Sequence, residues 1–229
     1  MPKVVDSLVR REEVAQALFR VVAASGLESA SLRTVAAEAG LAVGSVRHYF
    51  QDQSELMIFA FRTVSSRIRG RVEKRVMALE AAQDGDYAVG QDADGDDAVG
   101  QDAIRPVVSK RPAAAACVDV LMELLPVDQE RRLESSVWLS FVTAARTDRV
   151  LGDEADGGYR GTAILVGRII MVLLAAPETR MELDPVLEAE RLLALIDGLC
   201  LHMLLQPGWS TEELSRTVVE THLASLKSC

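Results

Sequence analysis

The stretch SLRTVAAEAGLAVGSVRHYF, residues 31–50, is the most informative in the chain, because it has the pattern of two short helices joined at a glycine. Gly40 can adopt the positive φ that a tight turn between helices requires. Ala36 is small enough for the two helices to cross closely. The apolar contacts between the helices are supplied by Val35, Leu41 and Val46. The stretch therefore predicts a helix-turn-helix over about residues 32–51.

The second helix of this pair presents small and polar side chains on its outward face. These residues are Val43, Gly44, Ser45, Arg47 and His48. A helix in this position can lie in the major groove of DNA, where its side chains reach base edges or phosphates. Small residues beside arginine and histidine make a poor core element but fit a groove well. The alternative is a buried helix pair with no role in DNA binding.

Helical periodicity continues on both sides of the pair. Residues 7–25 place apolar side chains at three- and four-residue steps, and Ser31 is suited to cap the helix that follows. A fourth helix begins near Asp52 and keeps this spacing as far as Leu79, so it is much longer than the first three. Its basic run RIRGRVEKR, residues 67–75, favours a solvated helix face over a direct DNA contact.

A repeated acidic segment follows the fourth helix. The unit DGDYAVGQDA occurs twice in succession within residues 84–103, with aspartate replacing tyrosine in the second copy, and the segment holds seven aspartates. So little apolar surface cannot offset the entropy of ordering the chain, which predicts a mobile insert. A calcium loop is disfavoured because the positions that need glycine and glutamate hold Asp97 and Ala103.

Beyond Pro112 five further helices are predicted, with prolines between them where helices must end. They cover roughly residues 112–125, 129–147, 158–176, 186–206 and 210–227. No strand-like alternation competes with this pattern. The chain is therefore predicted to be all-α, with about nine helices.

The net charge of the 229-residue chain is −9, which opposes DNA binding if it is spread evenly. It is not spread evenly, because residues 1–80 carry a net charge of +3 and residues 81–229 carry −12. The candidate DNA-binding unit thus lies in the basic part of the chain.

The sequence contains no pattern typical of an enzyme. Residues 152–163, GDEADGGYRGTA, are rich in glycine but lack the phosphate-binding pattern GxxxxGK[ST], and the three cysteines lack CxxC spacing. We therefore expect no catalytic activity, no cofactor and no metal site. No uncharged apolar run reaches the length of a membrane span or a secretory signal, so a cytoplasmic protein without a membrane partner is expected.

Residues 8 to about 65 resemble the DNA-binding domain of the tetracycline-repressor (TetR) family of transcriptional regulators. The resemblance rests on LRTVAAEAGLAVGSVRHYFQDQSELM, residues 32–57. It implies that Arg33 on the second helix and Ser45, Arg47 and Tyr49 on the third contact DNA, with Thr34 and Gln53 as further candidates. Two positions depart from the family pattern, because Arg47 stands where many members have tyrosine and Gln53 where many have a phosphate-binding lysine.

The resemblance also implies two domains and a mode of action. We expect a DNA-binding domain at residues 1–52 and a helical ligand-binding and dimerisation domain at residues 53–229, which includes the acidic insert. The expected protein is a repressor that binds an inverted-repeat operator as a homodimer and responds to a small-molecule effector. The alternative is a small-molecule-binding or interaction protein that has lost DNA binding, for which Gln53 is the only indication.

Candidate residues for the effector pocket and the dimer interface follow from bulk and spacing. The pocket candidates are Met122, Leu125, Trp138, Phe141 and Met171. The dimer candidates form an apolar stripe on the last two helices: Leu192, Leu195, Ile196, Leu199, Met203, Leu214, Val218 and His222. Ordinary packing in the core of the same chain is the alternative for both sets.

Overall fold

The computed structural model describes residues 7–88, 113–175 and 183–227, and within them the chain is all-α, with nine α-helices and one short 3-10 helix at Leu27–Ser29. The helices are α1 (Ser7–Ser25), α2 (Leu32–Glu38), α3 (Val43–Tyr49), α4 (Gln53–Ala88), α5 (Ala113–Met122), α6 (Gln129–Ala145), α7 (Arg149–Leu174), α8 (Pro185–Leu205) and α9 (Glu212–Ser225). This confirms the predicted fold class. The end of α4 includes residues 84–88 of the predicted insert, and the rest of that insert lies outside the described residues.

Side-chain caps fix where several helices begin. Ser31 accepts a hydrogen bond from the Thr34 N–H, as predicted, and Asp184 accepts from the N–H groups of Val186 and Leu187. Asp148 caps α7 in the same way, so α7 begins nine residues before the predicted position of 158. The glycine-rich segment that obscured this start is therefore helical.

The first large apolar cluster, which we call the reader core, is formed by α1, α2, α3 and the first turns of α4. The helix-turn-helix contributes Val35, Ala36, Val46 and Phe50, which are all fully buried. α4 contributes Leu56, Ala60 and Val64 to the same cluster. The predicted domain division between residues 52 and 53 thus falls inside this core, because α4 completes the packing surface that three short helices cannot close alone. We call residues 7–64 the reader.

The second large cluster is built from α5, α7, α8 and α9 with Val72 of α4. We call helices α5–α9 the effector domain and this cluster the effector-domain core. Its fully buried side chains include Leu121, Ile170, Leu192 and Val219. Since α4 contributes to both clusters, one continuous helix joins the reader to the effector domain.

The basic run on α4 anchors this joining helix, which corrects its interpretation as a solvated face. Arg71 donates to the Glu134 carboxylate on α6 at 2.8 Å, and Arg67 approaches the same carboxylate at 3.5 Å. The Glu134 side chain is only 2% exposed. Arg75 pairs in the same way with the buried Glu123. Arg67 and Arg71 are held in place because the Glu134 carboxylate would otherwise be buried without a counter-charge, whereas Glu123 also pairs with Arg131 at 2.8 Å.

One helix in the described part of the chain, α7, is long and apolar enough by length and composition to cross a membrane. Only 22% of its most apolar 18 residues is buried. The core helix of a soluble protein passes the same test of length and hydropathy. α7 therefore leaves apolar surface on the outside of the single chain.

Candidate DNA interface and effector cavity

The outward face of α3 is exposed as the sequence predicts. Val43, Gly44, Ser45, Arg47 and His48 are exposed, while Val46 on the opposite side of the helix is fully buried. Val46 therefore fixes the rotation of α3 about its own axis, and this rotation sets the direction of the exposed face.

The turn before α3 has the predicted geometry. Gly40 has a φ of 66°, and the Leu41 N–H donates to the Ala36 carbonyl at 2.9 Å. This bond closes the end of α2 and turns the chain into α3. Side chains rarely adopt such a φ, so the tight turn depends on glycine at this position.

The candidates on α2, at the end of α3 and on α4 differ in how free they are to reach DNA. Arg33 is exposed. The Thr34 hydroxyl donates to the Ser29 carbonyl at 2.6 Å, so its proton is already used within the chain. Tyr49 is half-buried, with its ring 5.2 Å from the ring of His48, and Gln53 is exposed at the first position of α4.

Arg11 is a structurally important residue that the sequence did not single out. Its guanidinium lies 4.6 Å from the centre of the Phe50 ring and 4.8 Å from that of Phe59, and it pairs with Glu55 at 3.2 Å. The aromatic and acidic partners stabilise the cation together. Arg11 therefore ties α1 to the corner between α3 and α4, where the reader joins the long helix.

The effector cavity is a space of about 290 Å³ enclosed by α4, α6, α7 and α8. This volume lies at the lower end of the range for small-molecule sites. Its wall is mostly apolar and is formed by Ile68, Leu124, Ser135, Trp138, Leu139, Val142, Tyr159, Thr162, Ile196, Asp197, Gly198, Cys200, Leu201 and Leu204.

Only one of the five predicted pocket residues, Trp138, lines this cavity. Met122, Leu125 and Phe141 are buried in the cores of the chain, and Met171 is 59% exposed on α7. The size of a side chain on a central helix therefore did not identify the residues of the cavity wall, because the same large residue types also fill the cores. Most of the wall residues that sequence reasoning missed lie on α7 and α8, and no signal in the sequence marked them.

The polar groups of the cavity wall come from α7 and α8. Partial desolvation in the wall raises the pKa of Asp197, and the negative charge of Glu190 raises it further. Burial also raises the pKa of Tyr159, with Asp197 adding to the effect. The Tyr159 ring lies 6.0 Å from the ring of Trp138. An aromatic pair next to a carboxylate is suited to hold a cation.

The predicted dimer stripe lies largely inside the chain, which corrects that expectation. Leu192, Ile196, Leu199 and Met203 are at most 7% exposed within a single chain. They pack against α5, α7 and α9 in the effector-domain core, so they have no surface left for a partner.

The other predicted dimer residues keep different amounts of surface. Leu195 and Val218 are half-buried beside the core, and Leu214 is exposed. His222 is half-buried, and burial lowers the pKa of its imidazole, to which the positive charge of Arg191 adds. The His222 Nε2 atom is buried without a hydrogen-bond partner among the described residues.

The opposite face of α8 forms a second stripe, which we call the outer stripe and which borders the effector cavity at Gly198 and Leu201. It consists of Leu187, Arg191, Ala194, Gly198, Leu201 and Leu205, which follow one another at steps of four and three residues. All are exposed except Gly198, which is half-buried. This spacing keeps one face toward a partner helix, and the small residues in the middle allow a close approach.

A helix-turn-helix reader joined by one long helix to a domain with a cavity defines a class of ligand-regulated DNA-binding proteins. The sequence profile described as "BetI-type transcriptional repressor, C-terminal" matches residues 113–227. The HTH-type transcriptional regulator PksA of Bacillus subtilis is 30% identical over 227 residues, which is 99% of this chain and 94% of PksA. The chain belongs to the TetR family and is a DNA-binding transcriptional regulator, not an enzyme.

Solved structures share this fold. A transcriptional regulator from Rhodococcus sp. Rha1 superposes with a TM-score of 0.69 at 25% identity, covering 94% of this chain and 95% of that one. A transcriptional regulator from Saccharomonospora viridis, solved in complex with choline, gives a TM-score of 0.67 at 19% identity, covering 95% and 96%. Family membership does not favour the alternative of a protein that has lost DNA binding.

Proposed function

We propose that this protein is a repressor that binds an inverted-repeat operator as a homodimer and releases it when an apolar cation enters the effector cavity. The observation that carries the proposal is the chemistry of the cavity, in which Asp197 lies beside the aromatic pair Trp138 and Tyr159. The DNA-binding part rests on the exposed face of α3.

In the proposed DNA complex each α3 enters the major groove. Arg47 makes a bidentate contact to a guanine, which is a favoured pairing for arginine. Arg33 contacts the phosphate backbone and contributes to binding at every sequence. Two readers on one inverted repeat bind successive major grooves, and the bound dimer blocks transcription.

The proposed dimer forms through the outer stripe of α8, together with Leu214 and Val218 of α9. The apolar side chains Leu187, Leu201 and Leu205 are exposed in the single chain, and burying them in a symmetric interface is favourable. Two helices from each chain then form a four-helix interface.

The effector cavity is linked to the reader through α6 and α4. Ser135 and Trp138 of α6 line the cavity, and Glu134 on the same helix holds Arg67 and Arg71 of α4. An effector that binds one arrangement of these helices more tightly shifts the population toward it. The choline-bound relative from Saccharomonospora viridis, whose ligand is a quaternary ammonium ion, supports a cationic effector.

The test of DNA recognition begins with selection of operator DNA from a random pool. Arg47→Ala is expected to weaken binding to the selected site by about 1 to 3 kcal/mol and to relax the preference at one base position. Arg33→Ala should weaken binding to all sequences more evenly. Arg146→Ala, at the exposed end of α6, is the matched control and should leave affinity unchanged. Unchanged affinity of Arg47→Ala would show that the recognition face is wrong.

The test of the effector site adds a series of apolar quaternary ammonium ions to the operator complex. They are expected to release the wild-type protein, whereas Asp197→Asn should bind the same operator and resist release. Because the pKa of Asp197 is raised, affinity for the cation should fall as the pH is lowered through that raised pKa, and the Asn variant should lack this dependence. Equal release of both proteins at every pH would contradict a cation site at Asp197.

A further inference from the structure

A second cavity of about 310 Å³ lies between α4 and α7. It shares four wall residues with the effector cavity, so the two spaces adjoin: Ile68, Leu124, Trp138 and Thr162. Its other wall residues include Ser65, Arg69 and Glu73 of α4, and Gly161, Ile164 and Arg168 of α7. We call this space the second cavity.

The second cavity exists because of glycines on α7. A Cβ atom at Gly158 would lie 2.7 Å from Trp138 and 2.8 Å from Phe61, so glycine at this position lets both rings pack against the helix. At Gly157 and Gly161 a Cβ atom would meet nothing within 4 Å. These two glycines therefore leave open a space that ordinary side chains would fill.

The charges between α4 and α7 change along the two helices. Arg62 of α4 makes two contacts to Glu154 of α7, at 2.9 and 2.7 Å, so a cation on one helix meets an anion on the other. Two turns further along α4, Arg69 lines the second cavity, and Arg168 is the one charged residue among those that α7 contributes to the wall. Among the described residues neither guanidinium has an ion-pair partner. The wall of this cavity thus holds two exposed cations, Arg69 and Arg168, and one acidic residue, Glu73.

We propose that the second cavity binds an apolar molecule with a single carboxylate, which Arg69 and Arg168 hold by charge-assisted hydrogen bonds. A planar guanidinium is well matched to a carboxylate. The apolar part of the ligand contacts Trp138, Ile164 and Leu165. The site is distinct from the effector cavity, whose wall offers Asp197 and selects the opposite charge. The proposal does not depend on the proposed function.

Tryptophan fluorescence provides the test. The chain has two tryptophans, and replacing the exposed Trp209 by phenylalanine leaves Trp138 as the reporter. Decanoate is titrated into this protein, with decanol as a neutral probe of equal chain length and decyltrimethylammonium as a cationic probe. Decanoate is expected to change Trp138 fluorescence with saturation, and decanol to bind at least tenfold more weakly, since a hydrogen bond to a charged group contributes about 1.5 to 3 kcal/mol.

Variants then separate the two cavities. Arg69→Gln and Arg168→Gln should each weaken decanoate binding about tenfold without affecting decyltrimethylammonium, and Asp197→Asn should do the reverse. Gly161→Leu keeps every charge but fills the second cavity, and it should abolish decanoate binding. Gly167→Leu, on another face of α7, is the matched control, because a Cβ atom at this position also meets nothing within 4 Å.

Three outcomes would overturn the proposal. The first is unchanged decanoate affinity in Arg69→Gln and Arg168→Gln. The second is mutual exclusion of decanoate and decyltrimethylammonium together with equal loss of both in Asp197→Asn, which would place both ligands in the effector cavity. The third is undiminished binding in Gly161→Leu.

Discussion

The reader and the effector domain were predicted from the same kind of pattern, with different success. In the reader, the turn at Gly40, the cap at Ser31 and the buried residues Val35 and Val46 are all confirmed. In the effector domain the positions of the helices are largely confirmed, but most of the α8 stripe that was predicted to form the dimer interface is buried within the single chain. An apolar stripe therefore predicts what a helix packs against only when the helix has a single apolar face.

α8 shows why. Its inner face, represented by Leu192 and Leu199, packs into the effector-domain core, and its outer face carries Leu187, Leu201 and Leu205 at similar helical spacing. The helical periodicity of the sequence indicates that both faces of α8 carry apolar side chains. Which of them is covered by the same chain depends on where α5, α7 and α9 lie, and this information is not local to α8.

The largest expected effect comes from placing the same charge on the two faces of α8. Leu199→Arg puts a cation into the effector-domain core without a counter-charge and is expected to prevent stable folding. Ala194→Arg adds the cation to the outer stripe and should give a folded monomer, because the charge would have to be desolvated only in the dimer. Circular dichroism and light scattering measure the two properties.

Ala24→Arg, at the exposed end of α1, controls for the added charge and should remain a folded dimer. A folded dimer of Ala194→Arg would move the interface away from the outer stripe. A folded monomer of Leu199→Arg would instead restore the inner face as the interface.

The next effect concerns the helix that joins the two regions. Glu134→Ala removes the carboxylate that Arg67 and Arg71 share, and should lower the free energy of unfolding by about 2 to 4 kcal/mol. Glu130→Ala removes an exposed partner of Arg67 and should change it by less than about 1 kcal/mol. Urea unfolding of both variants measures the difference. Equal effects would show that the buried carboxylate adds nothing beyond an exposed ion pair.

The smallest effect tests the reader, where local rules were sufficient. Ser31→Ala removes the hydrogen bond to the Thr34 N–H at 3.1 Å and should destabilise the protein by about 1 kcal/mol. Ser31→Thr keeps a hydroxyl at the cap and should recover most of this loss. Thermal unfolding measures the stability of Ser31→Ala and Ser31→Thr and distinguishes the two variants. If Ser31→Ala is as stable as the wild type, tertiary packing holds the start of α2 without the cap.

The effector cavity was less accessible to prediction than the helices around it. Trp138 was identified because it is large and lies on a central helix, but Asp197 and Tyr159 were not. Neither has a motif, because a cavity is formed by side chains from helices that are distant in sequence. Gly158 is a similar case, since the sequence shows a glycine-rich segment and only the approach of Trp138 and Phe61 explains the residue.

The helical fold, the helix-turn-helix and the exposed face of α3 could all be predicted from local sequence. These features depend on capping, turn conformation and the period of the α-helix, which act between residues close together in the chain. Three other features depend on the tertiary structure. Arg67 and Arg71 anchor α4 to Glu134, and Asp197 lines a cavity. α8 buries Leu192 and leaves Ala194 exposed. Each of these depends on which distant helix lies opposite, and a helix with two apolar faces or a long basic run is compatible with more than one neighbour.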